Sequence, residues 1–429
     1  MQDLYFRISC RAGGSWMKKT IIGISSISLI LSGVYGCGLM DNTRIGPAYE
    51  LGPVPNHILQ AKRPDPMTSL LIEMDDLPGH DDIVFLNRNT AFASGMDGWI
   101  WKLDLLSGQA RRWVKLPVNP AGLQIAGPEN RSLLACASRL GGEQYSEDAR
   151  VGLYDIDISS KKVIPLLLNV PRAADVSQET IYSVDASEPV KVAELDDSNS
   201  RPFSLCNDLA VSRDGKQVYL TEPFSRADAA MGSGAVPEAI GLYPHGRIWI
   251  YNRSEKTVQS VIEGFTFADG ILLEEKNGSV ISIVFTETTK FRMIRAFIGG
   301  ERAGESEVLQ ENLPGLADGL ERDNQGRIWT GLIKKRSGLI NFVHGNPWIK
   351  PLLLGLPQAI LPVSKDTGLM VFDASGREVL HYSMHDGSRI RDISVAVPHG
   401  DRVYLPSFKK DSRGLYSLKI SEILEISIR

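Results

Sequence analysis

The sequence predicts an all-β fold of the propeller type, and three observations predict it. Short runs rich in β-branched and aromatic residues follow one another after residue 66, split by Gly, Asp and Asn turns. A unit of turn, aromatic-bearing strand, short loop and second strand recurs near residues 88–103, 213–251, 276–297, 324–341 and 399–417. No long stretch beyond the N-terminus spaces its apolar residues at a helical period. The composition agrees. Forty glycines and 23 prolines suit a chain of many turns, and 429 residues with 43% hydrophobic content can bury a large core.

The N-terminus reads as an address. Met17-Lys18-Lys19 precedes an apolar run over residues 21–35, the pattern of a secretory signal with Met17 as its start. The run is shorter than the roughly 20 residues of a spanning helix. Residues 1–36 are therefore expected to be upstream sequence and signal. Val34-Tyr35-Gly36-Cys37 resembles a bacterial lipobox, which makes Cys37 a candidate lipidation site. Tyr35 is bulky where a small residue is usual, so lipidated, secreted and uncleaved anchored forms all stay open. Each is an exported form, periplasmic or in the cell envelope, with a membrane tether through the N-terminus in two of them. Residues 37–65 carry Pro47, Pro53, Pro55 and Pro64 and read as a linker. The propeller is expected over 66–429.

The strands then come in order. Thr90 to Gly95 runs into 98–103. Val218-Tyr219-Leu220-Thr221 follows the turn Arg213-Asp214-Gly215. Further strands are expected at 246–251, 279–285, 326–331 and 402–406. Trp99, Trp101, Trp249 and Trp329 fall on them and read as packing aromatics between blades.

Function classes narrow early. A net charge of −4 with signs mixed along the chain excludes the basic footprint of a nucleic-acid binder. Seven histidines argue against a multi-histidine metal site, and no CxxC pair supports zinc or thiol redox chemistry. Once the N-terminus, with Cys10, is set aside, Cys136 and Cys206 remain; a disulfide and two buried thiols are both open.

Three segments share one plan, a polar pair followed by apolar residues: Asn207-Asp208-Leu209, Asp269-Gly270-Ile271 and Asp318-Gly319-Leu320. His80-Asp81-Asp82-Ile83 is a fourth candidate. The innermost strand of each propeller blade lines the central channel, so acids at its start converge on the axis. Converging oxygens make a hard-cation site, and calcium takes ~6–8 of them. Like charges packed together need a cation to stay ionised. Taken singly, each dipeptide is equally a turn before a strand.

From about Pro202 to Leu332 the chain resembles the strictosidine synthase-like family. The resemblance rests on Asn207 through Gly215 with Val218 to Thr221, on Gly246-Arg247-Ile248-Trp249, on Phe285 through Arg295, and on Gly304 to Val308 leading to Asn312-Leu313-Pro314-Gly315 and Asp318. That family is related to gluconolactonases of the regucalcin type and to paraoxonases. The resemblance implies a six-bladed β-propeller with a central metal channel. It implies a Ca2+ ion, or another divalent cation, held by Asp81, Asn207, Asp269 and Asp318. Asp81 stands where relatives carry Glu, and Asp269 where they carry Asn. It further implies hydrolysis of a small-molecule lactone or aryl ester, with the cation polarising the carbonyl and Asp318 as general base. Asp81 and Asp269 stay open as alternative bases. Paraoxonases place a His after an Asn-Pro pair, whereas Asn119-Pro120 is followed here by Ala121. The family's amine-condensing members use a late channel Glu, and the matching stretch, residues 394–398, has no carboxylate.

Two further segments carry open readings. Residues 224–240 read either as a substrate lid or as a surface loop. His80 is a candidate substrate contact or a solvated turn residue. The competing function is a non-catalytic, envelope-tethered binding propeller with structural calcium, since propellers host many functions.

Overall fold

The computed structural model describes residues 45–424, apart from 128–129, 173–175, 177, 187, 227–228 and 358–359. Cys10, Cys37 and the signal reading of residues 1–36 lie outside the described residues.

Six antiparallel sheets of four core strands form the ring. Blade 1 spans His80–Asn87, Thr90–Gly95, Trp99–Asp104 and Gln109–Lys115. Blade 2 runs from Asn119–Ala126 to Val163–Leu167, and blade 3 from Leu209–Val211 to Thr257–Phe265. Blade 4 runs from Ala268–Lys276 to Ser306–Gln310, and blade 5 from Gly315–Arg322 to Val379–His385. Blade 6 takes three strands from the C-terminal end and its outermost strand, Leu71–Pro78, from the N-terminal end. Leu71 pairs with Ser417 and Ile72 with Tyr416, so backbone hydrogen bonds close the ring. Closure pairs chain ends that would otherwise leave an open sheet edge.

The hairpins follow from their turn residues. Asn87 Oδ1 accepts from the N–H groups of Asn89 and Thr90 at 2.9 and 3.0 Å. Asp104, Asp157 and Asn252 hold later turns the same way. A short side-chain acceptor replaces the missing strand partner and fixes the reversal.

Period-two alternation then builds the core. Each strand sends alternate side chains to the two neighbouring blades. Phe92 packs toward blade 2, while Ala91 and Ala93 pack toward blade 6. Val218 and Leu220 meet blade 2, and Tyr219 meets blade 4. Ile328 meets blade 4 and Trp329 meets blade 6. The six apolar clusters each sit between adjacent blades, one per interface of a closed ring. The inner strands are therefore buried on both faces, as in Ser279–Glu287, where every residue from 282 to 287 is buried.

One expectation fails here. Residues 45–65 are not a free linker. Ile58 is fully buried in the short helix Asn56–Gln60, and Leu51 and Val54 pack on the cluster between blades 4 and 5. The N–H of Arg63 donates to Tyr382 O at 2.8 Å, and Asp65 Oδ2 pairs with His385 Nδ1 at 2.7 Å. Prolines keep the segment extended, but the apolar residues between them dock it on the ring.

Candidate functional site

The innermost strands are interrupted at the same level. Pairing slips between His80 and Ile83 in blade 1 and between Pro120 and Leu123 in blade 2. It slips between Ala268 and Ile271 in blade 4 and between Ala317 and Leu320 in blade 5. The residues passed over are Asp81-Asp82, Ala121-Gly122, Asp269-Gly270 and Asp318-Gly319. A β-bulge re-aims side chains and frees backbone groups, and at these bulges Asp81, Asp269 and Asp318 turn to the axis. Asn207-Asp208 holds the same place just before Leu209–Val211 of blade 3. The turn reading of these dipeptides gives way to a bulge within a strand.

The freed N–H groups are caught by buried hydroxyls of the second strand. Asp82 N–H donates to Ser94 Oγ at 2.8 Å, Asp208 N–H to Thr221 Oγ1 at 2.9 Å, and Gly270 N–H to Thr286 Oγ1 at 2.9 Å. Thr286 Oγ1 then donates to Asp318 O of the next blade at 2.9 Å. Glycine at two of these levels is a spatial requirement. A Cβ on Gly270 would come within 2.3 Å of Asp318 O, and one on Gly122 within 2.8 Å of Asp208 Oδ1.

The four expected ligands meet. Asp81, Asn207, Asp269 and Asp318 come from four blades and line both an outer cavity of about 520 Å3 and a small inner one of about 30 Å3. The smaller volume suits one ion or one water. The Asn207 side-chain amide donates to Asp269, and Asp318 shares a hydrogen bond with Asp269. Thr288 Oγ1 lies 3.4 Å from Asp269 Oδ2.

A second set of acids stands behind the first. Asp82, Asp208 and Glu321 line only the inner cavity. Asp82 Oδ2 accepts from Leu123 N–H at 2.7 Å and Asp208 Oδ2 from Ile271 N–H at 3.1 Å, each bridging to the next blade. Their placement was not drawn from the sequence. Asp82 and Asp208 directly follow expected ligands, and Glu321 returns to the channel because the bulge at Asp318-Gly319 resets the alternation. The Ser or Thr closing each second strand (Ser94, Thr221, Thr286) was the readable signal.

The charges are uncompensated. Burial, then Asp269 and Asp82, push Asp81 up to about 8. Burial, then Asp269, Asp81 and Asp208, hold Asp318 well above the usual carboxylate range. Burial raises Asp269, while hydrogen bonds from Asp318 and Asn207 pull it back. Burial raises Asp82 to about 6, and burial with Asp82 raises Glu321 to about 8. Among the described residues no Lys or Arg is a leading influence on Asp81, Asp269 or Asp318. Three carboxylates and an amide carbonyl, all hard oxygens, fit a divalent cation of the calcium class. Among the described residues no three His, Cys, Asp or Glu side chains already stand in a coordination geometry. The acids are instead closed on one another by hydrogen bonds, which a cation would have to open.

His80 is differently placed from the expectation. It is fully buried, pairs across from Gly95, and points Nδ1 at Pro78 O at 3.0 Å. It lines neither cavity, because the bulge gives the channel direction to Asp81. Burial pushes its imidazole down to about 4.

The outer cavity has an apolar wall. Leu140, Phe224, Met231, Phe267, Phe291 and Val343 are among its lining residues. The second strand of each blade runs back toward the site end, so its connection to the third strand overhangs the channel. Two such connections, residues 223–245 in blade 3 and 336–366 in blade 5, form a cap. It contains the helices Val236–Gly241, Gly338–Gly345 and Lys350–Leu354. His344 Nε2 lies 3.0 Å from Ala239 O, and Lys350 Nζ donates to Gly241 O at 3.2 Å, tying the two excursions together. Residues 224–240 thus lie over the cavity. In blade 2, Ala121 is buried and brings no ionisable group. Ser394 and Val395 are what blade 6 brings to the inner cavity.

No protein-family model matches the chain. It is 30% identical over 230 residues to the adipocyte plasma membrane-associated protein of Salmo salar, covering 52% of this chain and 53% of the relative. It is 24% identical over 342 residues to the protein of that name from Mus musculus, covering 78% and 74%. To the strictosidine synthase-like 13 protein of Arabidopsis thaliana it is 28% identical over 177 residues, covering 41% and 42%. The chain thus spans about half the length of the salmon relative and less of the plant one. A solved gluconolactonase from Xanthomonas campestris superposes with a TM-score of 0.48 at 14% identity, over 87% of this chain and 98% of that one. The sequence relatives of this chain are therefore adipocyte plasma membrane-associated proteins and strictosidine synthase-like proteins, the latter being the family its motifs resemble.

Proposed function

We propose that the chain is a divalent-cation-dependent hydrolase of lactones or aryl esters with an apolar body. The observation that carries this reading is the meeting of Asp81, Asn207, Asp269 and Asp318 at the floor of a large cavity with an apolar wall, whose lysines, Lys334, Lys335 and Lys410, pair with other acids, Asp392, Asp366 and Glu143. These four would hold the cation, calcium first. When bound, the cation supplies Lewis acidity toward an ester carbonyl. The protein's own groups do the rest. The apolar wall and cap bind the substrate body and exclude water. The bulges fix the direction of each acid, and the buried hydroxyls hold the bulges. Asp318, which reaches both cavities and is raised by burial and by its acidic neighbours, is the proposed general base toward water. The resemblance to the strictosidine synthase-like family and its hydrolytic relatives supports the same chemistry. The Cys136–Cys206 disulfide supports an exported protein.

A binding propeller with structural calcium is the second reading, favoured by Ala121 and by the mutual closure of the acids. The deciding experiment assays the full chain on aryl esters and lactones of several ring sizes, with calcium, with a chelator, and as Asp318→Ala. Turnover lost in both controls supports the hydrolase. No turnover on any substrate, with chelator-sensitive melting, supports the binding propeller.

A further inference from the structure

The cap presents an unusual outer surface. Among the described residues, half of the exposed large apolar side chains fall between 339 and 363: Leu339, Phe342, Trp348, Leu356, Ile360 and Val363. Trp348 is 69% exposed, Ile360 62% and Val363 56%. The other exposed ones are scattered over the ring, as on any soluble surface. Leu339 and Val363 also line the outer cavity, so the apolar surface reaches its mouth. The same excursion is basic. Residues 334–366 carry five basic residues against a single acid, Asp366; Lys350 is buried within the cap and Lys334 pairs with Asp392, so Lys335, beside Asp366, and Lys365 are the bases it exposes.

The start of the described chain lies on this cap. Gly46 N–H donates to Gly241 O at 3.0 Å, and Tyr49 N–H to His344 O at 2.9 Å. Lys350 Nζ donates to Gly46 O at 3.4 Å. A Cβ on Gly46 would meet Leu242 O at 1.9 Å, so the strand of chain is set directly against the cap backbone. Nine residues, 36–44, separate it from the apolar run at 21–35. Fully extended they reach about 30 Å. A bilayer holding that run, or a lipid on Cys37, is confined to the neighbourhood of the cap.

We propose that the cap over residues 336–366 docks on an anionic lipid bilayer, with Phe342, Trp348, Ile360 and Val363 at headgroup depth and the cavity mouth turned to the membrane. Exposed Trp and aliphatic side chains beside Lys and Arg are the chemistry of an interfacial anchor. The exposed Lys335 and Lys365 add attraction to anionic headgroups, and in the anchored or lipidated form the N-terminal tether raises the local concentration of the two surfaces. The dependence on tether position makes a lipid surface the occupant, in preference to a second copy of the chain.

The test uses the full chain in vesicles of phosphatidylethanolamine and phosphatidylglycerol with brominated acyl chains. Bromine quenches tryptophan only within the bilayer. Wild-type emission is expected to be quenched relative to unbrominated vesicles. The quenched component is expected to fall in Trp348→Phe, which keeps the fold and the apolar side chain and leaves Trp16 beside the tether as the remaining quenched group. It is expected to fall in Phe342→Ser/Ile360→Ser, which keeps Trp348. Equal quenching in wild type and Trp348→Phe would overturn the proposal, since residues 1–44 alone would then carry the contact. Unquenched Trp348 in a dimer that Phe342→Ser/Ile360→Ser dissociates would overturn it in favour of a second copy.

Discussion

Cys136 and Cys206 are joined by a disulfide that ties the second strand of blade 2 to the residue preceding Asn207. Ser138 adds to the tie, accepting from Cys206 N–H at 2.8 Å and donating to Cys206 O at 2.7 Å. The bond closes a 70-residue separation. On the chain-entropy view such a loop is worth about 4 kcal/mol. Cys136→Ala/Cys206→Ala is therefore expected to lower the unfolding free energy read from urea denaturation by an amount approaching that figure, with a lower midpoint and a steeper slope, because the uncrosslinked unfolded chain exposes more surface. A midpoint that reducing agent and the double variant both leave in place would mean that the ring holds Asn207 without the bond.

The carboxylate cluster makes a prediction with opposite signs. Asp269→Asn removes one of three crowded acids while keeping shape. It is expected to raise the melting temperature in chelator and to shrink the shift that calcium produces. In the wild type, calcium at a hundredfold excess over its dissociation constant adds about 2.7 kcal/mol. Differential scanning calorimetry with and without calcium reads both effects. A variant less stable than wild type in chelator would show that the acids are not repelling one another.

Thr286 serves two blades through one hydroxyl. Thr286→Val keeps volume and strands both Gly270 N–H and Asp318 O. An unpaired buried polar group costs about 1–3 kcal/mol. The expected loss is in that range or above, with a drop in calcium affinity, measured by denaturation and calorimetric titration. Thr68→Val, remote from the channel, is the control.

Gly270→Ala is expected to be severe and Gly122→Ala nearly so, because each Cβ would strike backbone or carboxylate of the next blade. Gly108→Ala faces open space at positive φ and is expected to cost only about 1 kcal/mol. Comparable melting of the Gly108 and Gly270 variants would refute the tight axis.

His344 and His381 are buried, and desolvation pushes both down to about 4. The unfolded chain binds their protons first. Their contribution to stability is therefore full above about 6.5 and is lost as pH falls from there through 4, with a slope of about 1.4 kcal/mol per pH unit for each. His381→Gln is expected to flatten that slope between pH 6 and 4. An unchanged slope would assign the acid sensitivity elsewhere.

Much of this was legible in the sequence. Alternating β-branched and aromatic runs with Asn and Asp turns specify strands and hairpins locally, so Asn87, Asp104 and Asn252 do in the fold what their side chains dictate. The polar pairs at 207, 269 and 318 were legible because they recur against apolar strands. Asp82, Asp208 and Glu321 were not, since which of two adjacent acids faces the axis depends on the bulge, and a bulge is set by the partner strand. His80 was misplaced for the same reason. The docked segment 45–65 was misread because proline content reports backbone stiffness and not what Ile58 finds to bury against.

By itself the sequence determined the strand type, the relatives and the four axial candidates, because period-two patterning and side-chain chemistry are local. Only the tertiary structure decided that blade 6 borrows Leu71–Pro78, that Cys136 reaches Cys206, and that two excursions and the segment at Gly46 assemble one cap. Those contacts join residues far apart along the chain. Their free energy comes from closing the ring and burying its last faces, which no single segment can do alone.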